Sequence, residues 1–176
     1  MKALVVYESM FGNTRLIAEA IAEGLSGHME VETVEVGLAP ELMPPEIDFV
    51  VIGGPTHAFG LSRPRTRLSA GEHTEGPLVS ARIGIREWLE GLVPPGKPVD
   101  CASFDTRIDK PRVPGSAAAS AGRRLRRLGF HVIVGPESFF VDGTTGPLLA
   151  GEYGRAHSWG ELLASRLAVT TRTNHR

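Results

Sequence analysis

Glu8-Ser9-Met10-Phe11-Gly12-Asn13-Thr14 stands between an apolar run, Ala3-Leu4-Val5-Val6-Tyr7, and a stretch with helical spacing, Leu16-Ile17-Ala18-Glu19-Ala20-Ile21-Ala22. The apolar run reads as a buried strand and the following pattern as an amphipathic helix. A short loop joining them leaves the first N–H groups of the helix without intrahelical acceptors, at the positive end of the helix dipole. That is a seat for a phosphate. Ser9 and Thr14 bring hydroxyls and Asn13 an amide, while Gly12 has the backbone freedom to aim N–H groups inward. Capping a helix takes one such residue. Three of them beside a glycine favour a ligand site.

Outward from this loop, strand and helix patterns alternate. Strands are predicted over 3–7, 31–36, 49–52 and 98–104, and a fifth begins at 131–134 and resumes at 139–141 after Gly135-Pro136. Helices are predicted over 13–25, 81–92, 116–128 and 153–169, with a short helical turn inside 38–46. Such alternation builds a parallel sheet covered on both faces, a doubly wound α/β fold whose ligands sit at the carboxyl ends of the strands. The run Phe49-Val50-Val51-Ile52, stopped by Gly53-Gly54-Pro55, suits a central strand; the mixed faces of 31–36 suit an edge. The reading is one domain over 1–169 with a flexible polar tail at 170–176. The polar connection 56–79, with Arg63, Arg65 and Arg67, is long enough to mark a functional or mobile segment.

The composition excludes several classes. The 176 residues carry a formal net charge of −1, so no global field recruits nucleic acid or an anionic membrane. No apolar run approaches the roughly 20 residues of a membrane span, and the chain enters a strand at once without a leader pattern, which predicts a cytoplasmic protein. The single cysteine, Cys101, excludes an intrachain disulfide and sits in an apolar strand pattern, where it reads as a small buried hydrophobe. The six histidines lack metal-ligand spacing, so no metal site is expected. Neither a G-x-x-x-x-G-K-[ST] loop nor a G-x-S-x-G elbow is present.

In the expected sheet, the loops after the first, third and fourth strands share one rim, which brings together 9–14, 55–60 and 103–107. On these residues the chain resembles the flavodoxin-like family. Tyr7-Glu8-Ser9-Met10-Phe11-Gly12-Asn13-Thr14 is similar to its phosphate loop and Gly53-Gly54-Pro55-Thr56-His57 to its second flavin loop. Phe104-Asp105-Thr106-Arg107 occupies the third. The resemblance spans residues 2 to about 167 and is to the short form, without an insertion in the fifth strand. It implies a five-stranded parallel sheet of order 2-1-3-4-5 and FMN as cofactor.

The implied flavin contacts are Ser9, Met10, Phe11, Gly12, Asn13 and Thr14 around the phosphate. Pro55, Thr56, His57, Phe59 and Gly60 are expected along the ribityl chain and ring. Phe104, Asp105, Thr106 and Arg107 are expected at the ring's pyrimidine edge. Phe59 and Phe104 stand where the family stacks aromatic side chains on the ring, although Phe104 equally suits a strand core. Phe11 replaces the family's commonest third hydroxyl, as in the related quinone-reductase branch. The near-neutral charge, with Arg107, Lys110 and Arg112 close to the third loop, differs from the acidic electron shuttles.

Three functions fit this pattern. The first is an FMN redox protein that exchanges electrons with a partner protein or a small-molecule acceptor. The second is an FMN-dependent NAD(P)H oxidoreductase acting on a quinone-like acceptor, and the third a flavin-free binding module on the same fold.

Overall fold

Strand β1 (Lys2–Tyr7) lies between β2 (Glu30–Glu35) and β3 (Phe49–Pro55), parallel to both, with Tyr7 opposite Glu35 on one side and Gly53 on the other. The computed structural model describes residues 1–109 and 114–173. Next to β3 runs β4 (Asp100–Ile108), and β4 pairs with two short strands in succession, β5 (His131–Val132) and β6 (Glu137–Val141). The sheet order is β2-β1-β3-β4-β5, with β6 continuing the last position. The expected fifth strand is therefore split around residues 133–136.

Alternation along the strands divides the core in two. Leu4, Val6, Val50 and Ile52 face one side with Trp88 and Leu89 of α3 (Ile85–Gly91) and Leu125 of α4 (Ala117–Arg127). Ala3, Val5, Phe49 and Val51 face the other with Ile17 and Ile21 of α1 (Asn13–Ser26) and Leu163 of α5 (Glu152–Thr173).

Several boundaries differ from the sequence reading. The third strand runs through Gly53-Gly54 to Pro55, paired there with Phe104, Asp105 and Thr106 of β4, and glycine is needed at 53 because the Phe104 ring fills the space above it. A Cβ there would lie 2.2 Å from that ring. Strand β4 extends four residues beyond the expected end at Phe104, so 105–108 is ladder and not loop. The helix expected over 81–92 begins at Ile85, because the extended Gly84 donates its N–H to Glu87 (2.8 Å) and so sets the helix start. Helix α5 continues through Thr173, into the expected tail; residues 174–176 lie outside the described residues. The connection 56–79 contains an unexpected helix, α2 (Pro64–Gly71). Proline at its first position is preset for helix and costs no hydrogen bond there.

Candidate functional site

The loop from β1 to α1 closes on itself. Gly12 precedes the helix with φ +94°, a left-handed conformation that other residues rarely adopt, and its N–H donates to Ser9 Oγ at 3.1 Å. None of the three polar residues caps α1. Ser9 Oγ accepts from Gly12, an Asn13 amide N–H goes to Thr145 O (3.0 Å), and Thr14 Oγ1 pairs with Thr106 Oγ1 of β4 at 2.7 Å. The first-turn N–H groups therefore have no side-chain cap. The Ser9 hydroxyl keeps its own hydrogen, and the Thr14–Thr106 pair uses one of its two.

The residues after α2 are stitched to this loop. Ser80 N–H donates to Ser9 O (2.7 Å), Val79 N–H to Met10 O (3.1 Å), and Ser9 N–H to Ser80 Oγ (3.0 Å). Deeper still lies a chain of charges that the sequence reading missed. Glu8, fully buried, accepts from Ser62 Oγ and from Ile85 N–H (2.8 Å). Arg67, 4% exposed, donates to Ser62 Oγ (2.8 Å) and pairs with Glu87 (3.1 Å), which also accepts from Gly84 N–H. Burial pushes the Glu8 carboxyl above the usual range, against the pull of Ser62, Ile85 and Arg67. For Glu87, burial pushes up but the Gly84 N–H and the Arg67 guanidinium outweigh it, and its pKa lies below the ordinary value. Arg67 thus anchors α2 beneath the rim and is not a loop charge beside a ligand.

Together these elements enclose a cleft of about 280 Å³ at the carboxyl ends of β1, β3 and β4, close to the lower end of the ~300–1,000 Å³ usual for small-molecule sites. Of the expected site residues, Ser9, Met10, Phe11, Asn13 and Thr14 line it from the first loop. Pro55, Thr56 and His57 line it from the second, and Thr106 and Arg107 from β4. Gly12 shapes the loop without lining the cleft. Burial and then the Arg67 charge push the His57 imidazole below its ordinary pKa, toward the neutral form.

Several expected positions have other surroundings. Phe104 is fully buried, edge-on to Phe139 (6.2 Å) and Trp159 (6.4 Å), and stacks on nothing in the cleft. Asp105 points into the protein: Oδ2 accepts from Thr56 Oγ1 (2.9 Å) and Ala118 N–H (3.0 Å), and Oδ1 is buried with no partner among the described residues. The Thr56 hydroxyl also accepts from Ala117 N–H (2.9 Å), so it fastens the start of α4 and is committed away from the cleft it borders. Phe59 and Gly60 belong to a tight turn in which His57 and Gly60 exchange both backbone hydrogen bonds, at 2.8 and 3.0 Å. Ala58 (φ +43°) and Phe59 (φ +70°) are both left-handed there, at a cost of ~1–2 kcal/mol each. Phe59 is 60% exposed outside the cleft. Arg107 donates to Gly115 O (3.0 Å); Lys110 and Arg112 lie outside the described residues.

One wall of the cleft was not foreseen. Helix α2 and the turn after it supply Thr66, Ser69, Ala70 and His73, and Ile108, Val141 and Thr144 also line the cleft. Spacing of three residues puts 66 and 69 on one helical face, and 73 follows on the turn after the helix. Among the described residues no carboxylate lines the cleft, although the chain has 20 Asp and Glu residues.

No family model matches the chain, and no curated protein does. Solved structures resemble it. A flavodoxin from the domain Archaea is 18% identical, with 96% of this chain and 99% of that one covered and a TM-score of 0.63. Oxidised flavodoxin 1 from Bacillus cereus is 15% identical, with coverages of 91% and 95% and a TM-score of 0.64. The flavodiiron protein from Giardia intestinalis, 18% identical, aligns over 98% of this chain but only 37% of its own, with a TM-score of 0.60. At such identities the likeness shows the fold. The chain has the flavodoxin-like fold, with the sheet order expected from its sequence.

Proposed function

We propose that this chain binds FMN in the cleft and exchanges electrons through it with a partner protein or a small-molecule acceptor. One observation carries this reading: the uncapped first turn of α1 opens on a cleft that, among the described residues, no carboxylate lines. A phosphate dianion suits that end, where the Ser9 hydroxyl, the spare hydroxyl of the Thr14–Thr106 pair and the first-turn N–H groups would hold it. The cleft also offers the His57 imidazole and the apolar side chains of Ile108 and Val141 to a flat ring. When bound, the flavin supplies one- and two-electron chemistry. The chain holds the phosphate, orients the ring and, through Arg107, sets a positive charge at the cleft wall.

Titration with FMN and riboflavin, followed by flavin fluorescence, tests the reading. Tight FMN binding with weaker riboflavin binding is expected. Binding of neither refutes it and leaves a flavin-free module. A second reading, an FMN-dependent NAD(P)H oxidoreductase, is favoured by the folded wall that α2 adds to the cleft. Oxidation of NADH or NADPH by the FMN-loaded protein, with a quinone as acceptor, separates it from the first.

A further inference from the structure

We propose that the surface carrying Phe59, beside the cleft, docks an acidic protein electron carrier, whose carboxylates meet the arginines that flank residues 59–63. The carrier's redox role rests on the FMN reading above; the charge it must present does not.

The arginines are gathered by bonds to one segment of the chain. The turn at 57–60 leaves the cleft, which His57 and Ala58 line, and exposes Phe59 outside it. Directly after the turn, Arg86 donates from Nε to Ser62 O (3.0 Å) and from Nη2 to Leu61 O (2.8 Å). Arg63, next in the chain, is exposed. On α4, Ser120 Oγ lies 3.6 Å from where a Cβ on Gly60 would stand, and Arg123 donates to that hydroxyl (3.2 Å). Arg107 bonds to Gly115, which packs so closely on the turn that a Cβ there would lie 2.3 Å from Phe59 O. Arg124 reaches Glu90 (3.2 Å), four residues along α3 from Arg86. Burial first, then the charges of Arg124 and Arg63, hold the Arg86 guanidinium below its ordinary pKa. The carboxylates that act on Arg86 are Glu90 and Glu87, which pair with Arg124 and Arg67.

This positive charge is local. Residues 16–62 hold eight Asp and Glu and no Lys or Arg, while the whole chain carries −1. Such separation turns an approaching acidic protein toward the arginines. Phenylalanine and arginine are both enriched in protein interfaces. A partner seated on Phe59 meets the chain one residue from Ala58 of the cleft wall, the approach that electron exchange with a bound flavin needs.

Calorimetric titration with an oxidised plant-type [2Fe–2S] ferredoxin, an acidic carrier, tests the proposal. The wild type is expected to bind it, and more weakly as salt rises from about 0.02 to 0.3 M. Arg123→Glu reverses an exposed charge, and Phe59→Asn removes the ring while suiting the left-handed backbone. Each weakens ferredoxin binding about ten-fold and leaves FMN affinity, read by flavin fluorescence, unchanged. A wild type that binds FMN but not ferredoxin, or ferredoxin binding that neither variant weakens, overturns the inference and leaves the FMN reading standing. Single-stranded RNA that binds more tightly than ferredoxin and is lost in the same variants makes this a nucleic-acid surface and also overturns it. So does a wild-type dimer in sedimentation that Arg123→Glu dissociates. Ferredoxin binding without FMN binding keeps the acidic docking surface and sinks the FMN reading.

Discussion

Replacing Arg67 by methionine tests the buried charge chain that ties α2 to the end of β1 and the start of α3. The substitution keeps much of the aliphatic volume and removes the guanidinium. Ser62 Oγ then loses a donor at 2.8 Å and Glu87 its partner at 3.1 Å, while Glu8 remains buried with only Ser62 and Ile85 to hold it. Removing one member of a buried ion pair costs about 3–5 kcal/mol, and we expect that at pH 7.5. In a chain of this size it lowers the melting temperature by roughly 6–20 °C.

The pH dependence is the sharper part. The folded-state pKa of Glu8 lies above its unfolded value. The stability linked to it is therefore fully present below the ordinary glutamate pKa of about 4.3 and is lost as pH rises through the raised folded value. Arg67 is among the groups that oppose that rise. Without it the folded pKa climbs further, so the penalty of Arg67→Met grows between pH 5 and pH 7.5. Glu8→Gln in the Arg67→Met background removes the growth. Urea denaturation of the single and double variants at both pH values reads all of this. A penalty below about 1 kcal/mol at pH 7.5, or one of equal size at pH 5, refutes Arg67 as a support of the buried Glu8 carboxyl.

Two other outcomes are expected. Thr56→Val removes the hydroxyl that joins Asp105 Oδ2 to the Ala117 N–H, which costs about 1–3 kcal/mol of stability in urea titration but leaves the FMN-to-riboflavin ratio of the folded protein unchanged. A changed ratio would return that hydroxyl to the ligand. Cys101 is buried, and burial first and the Asp100 charge second push its thiol up to about 12. A thiol reagent at pH 8 should label it only at the rate of unfolding, and stoichiometric labelling of the native protein within minutes would contradict its burial.

The first loop was legible because its signals, an apolar strand, a glycine and a helical period, lie within a few residues of one another, although Ser80, Thr106 and Thr145 hold it in place from afar. The sheet order came from the alternation and the family resemblance. The third loop was misread for a physical reason. Asp105 and Thr106 are polar and look like loop, yet both are buried in β4, where groups remote in sequence bond them: Thr56 Oγ1 and the Ala118 N–H donate to Asp105 Oδ2, and Thr14 pairs with Thr106, while Asp105 Oδ1 has no partner among the described residues. The same extension of β4 goes with a Phe104 buried in the core against Phe139 and Trp159 and outside the lining of the cleft.

By itself, then, the sequence determined the strand-turn-helix unit around 9–14 and the frame that carries it, because local periodicity and turn chemistry specify both. Tertiary structure alone decided what surrounds the seat. Glu8 finds its partners Ser62 and Ile85 at separations of 54 and 77 residues, and Asn13 finds Thr145 at 132. Contacts at such distances leave no period in a chain. They form only once the chain has folded, and the same tertiary bonds hold the end of the 56–79 connection against the first loop, where it becomes a wall of the cleft.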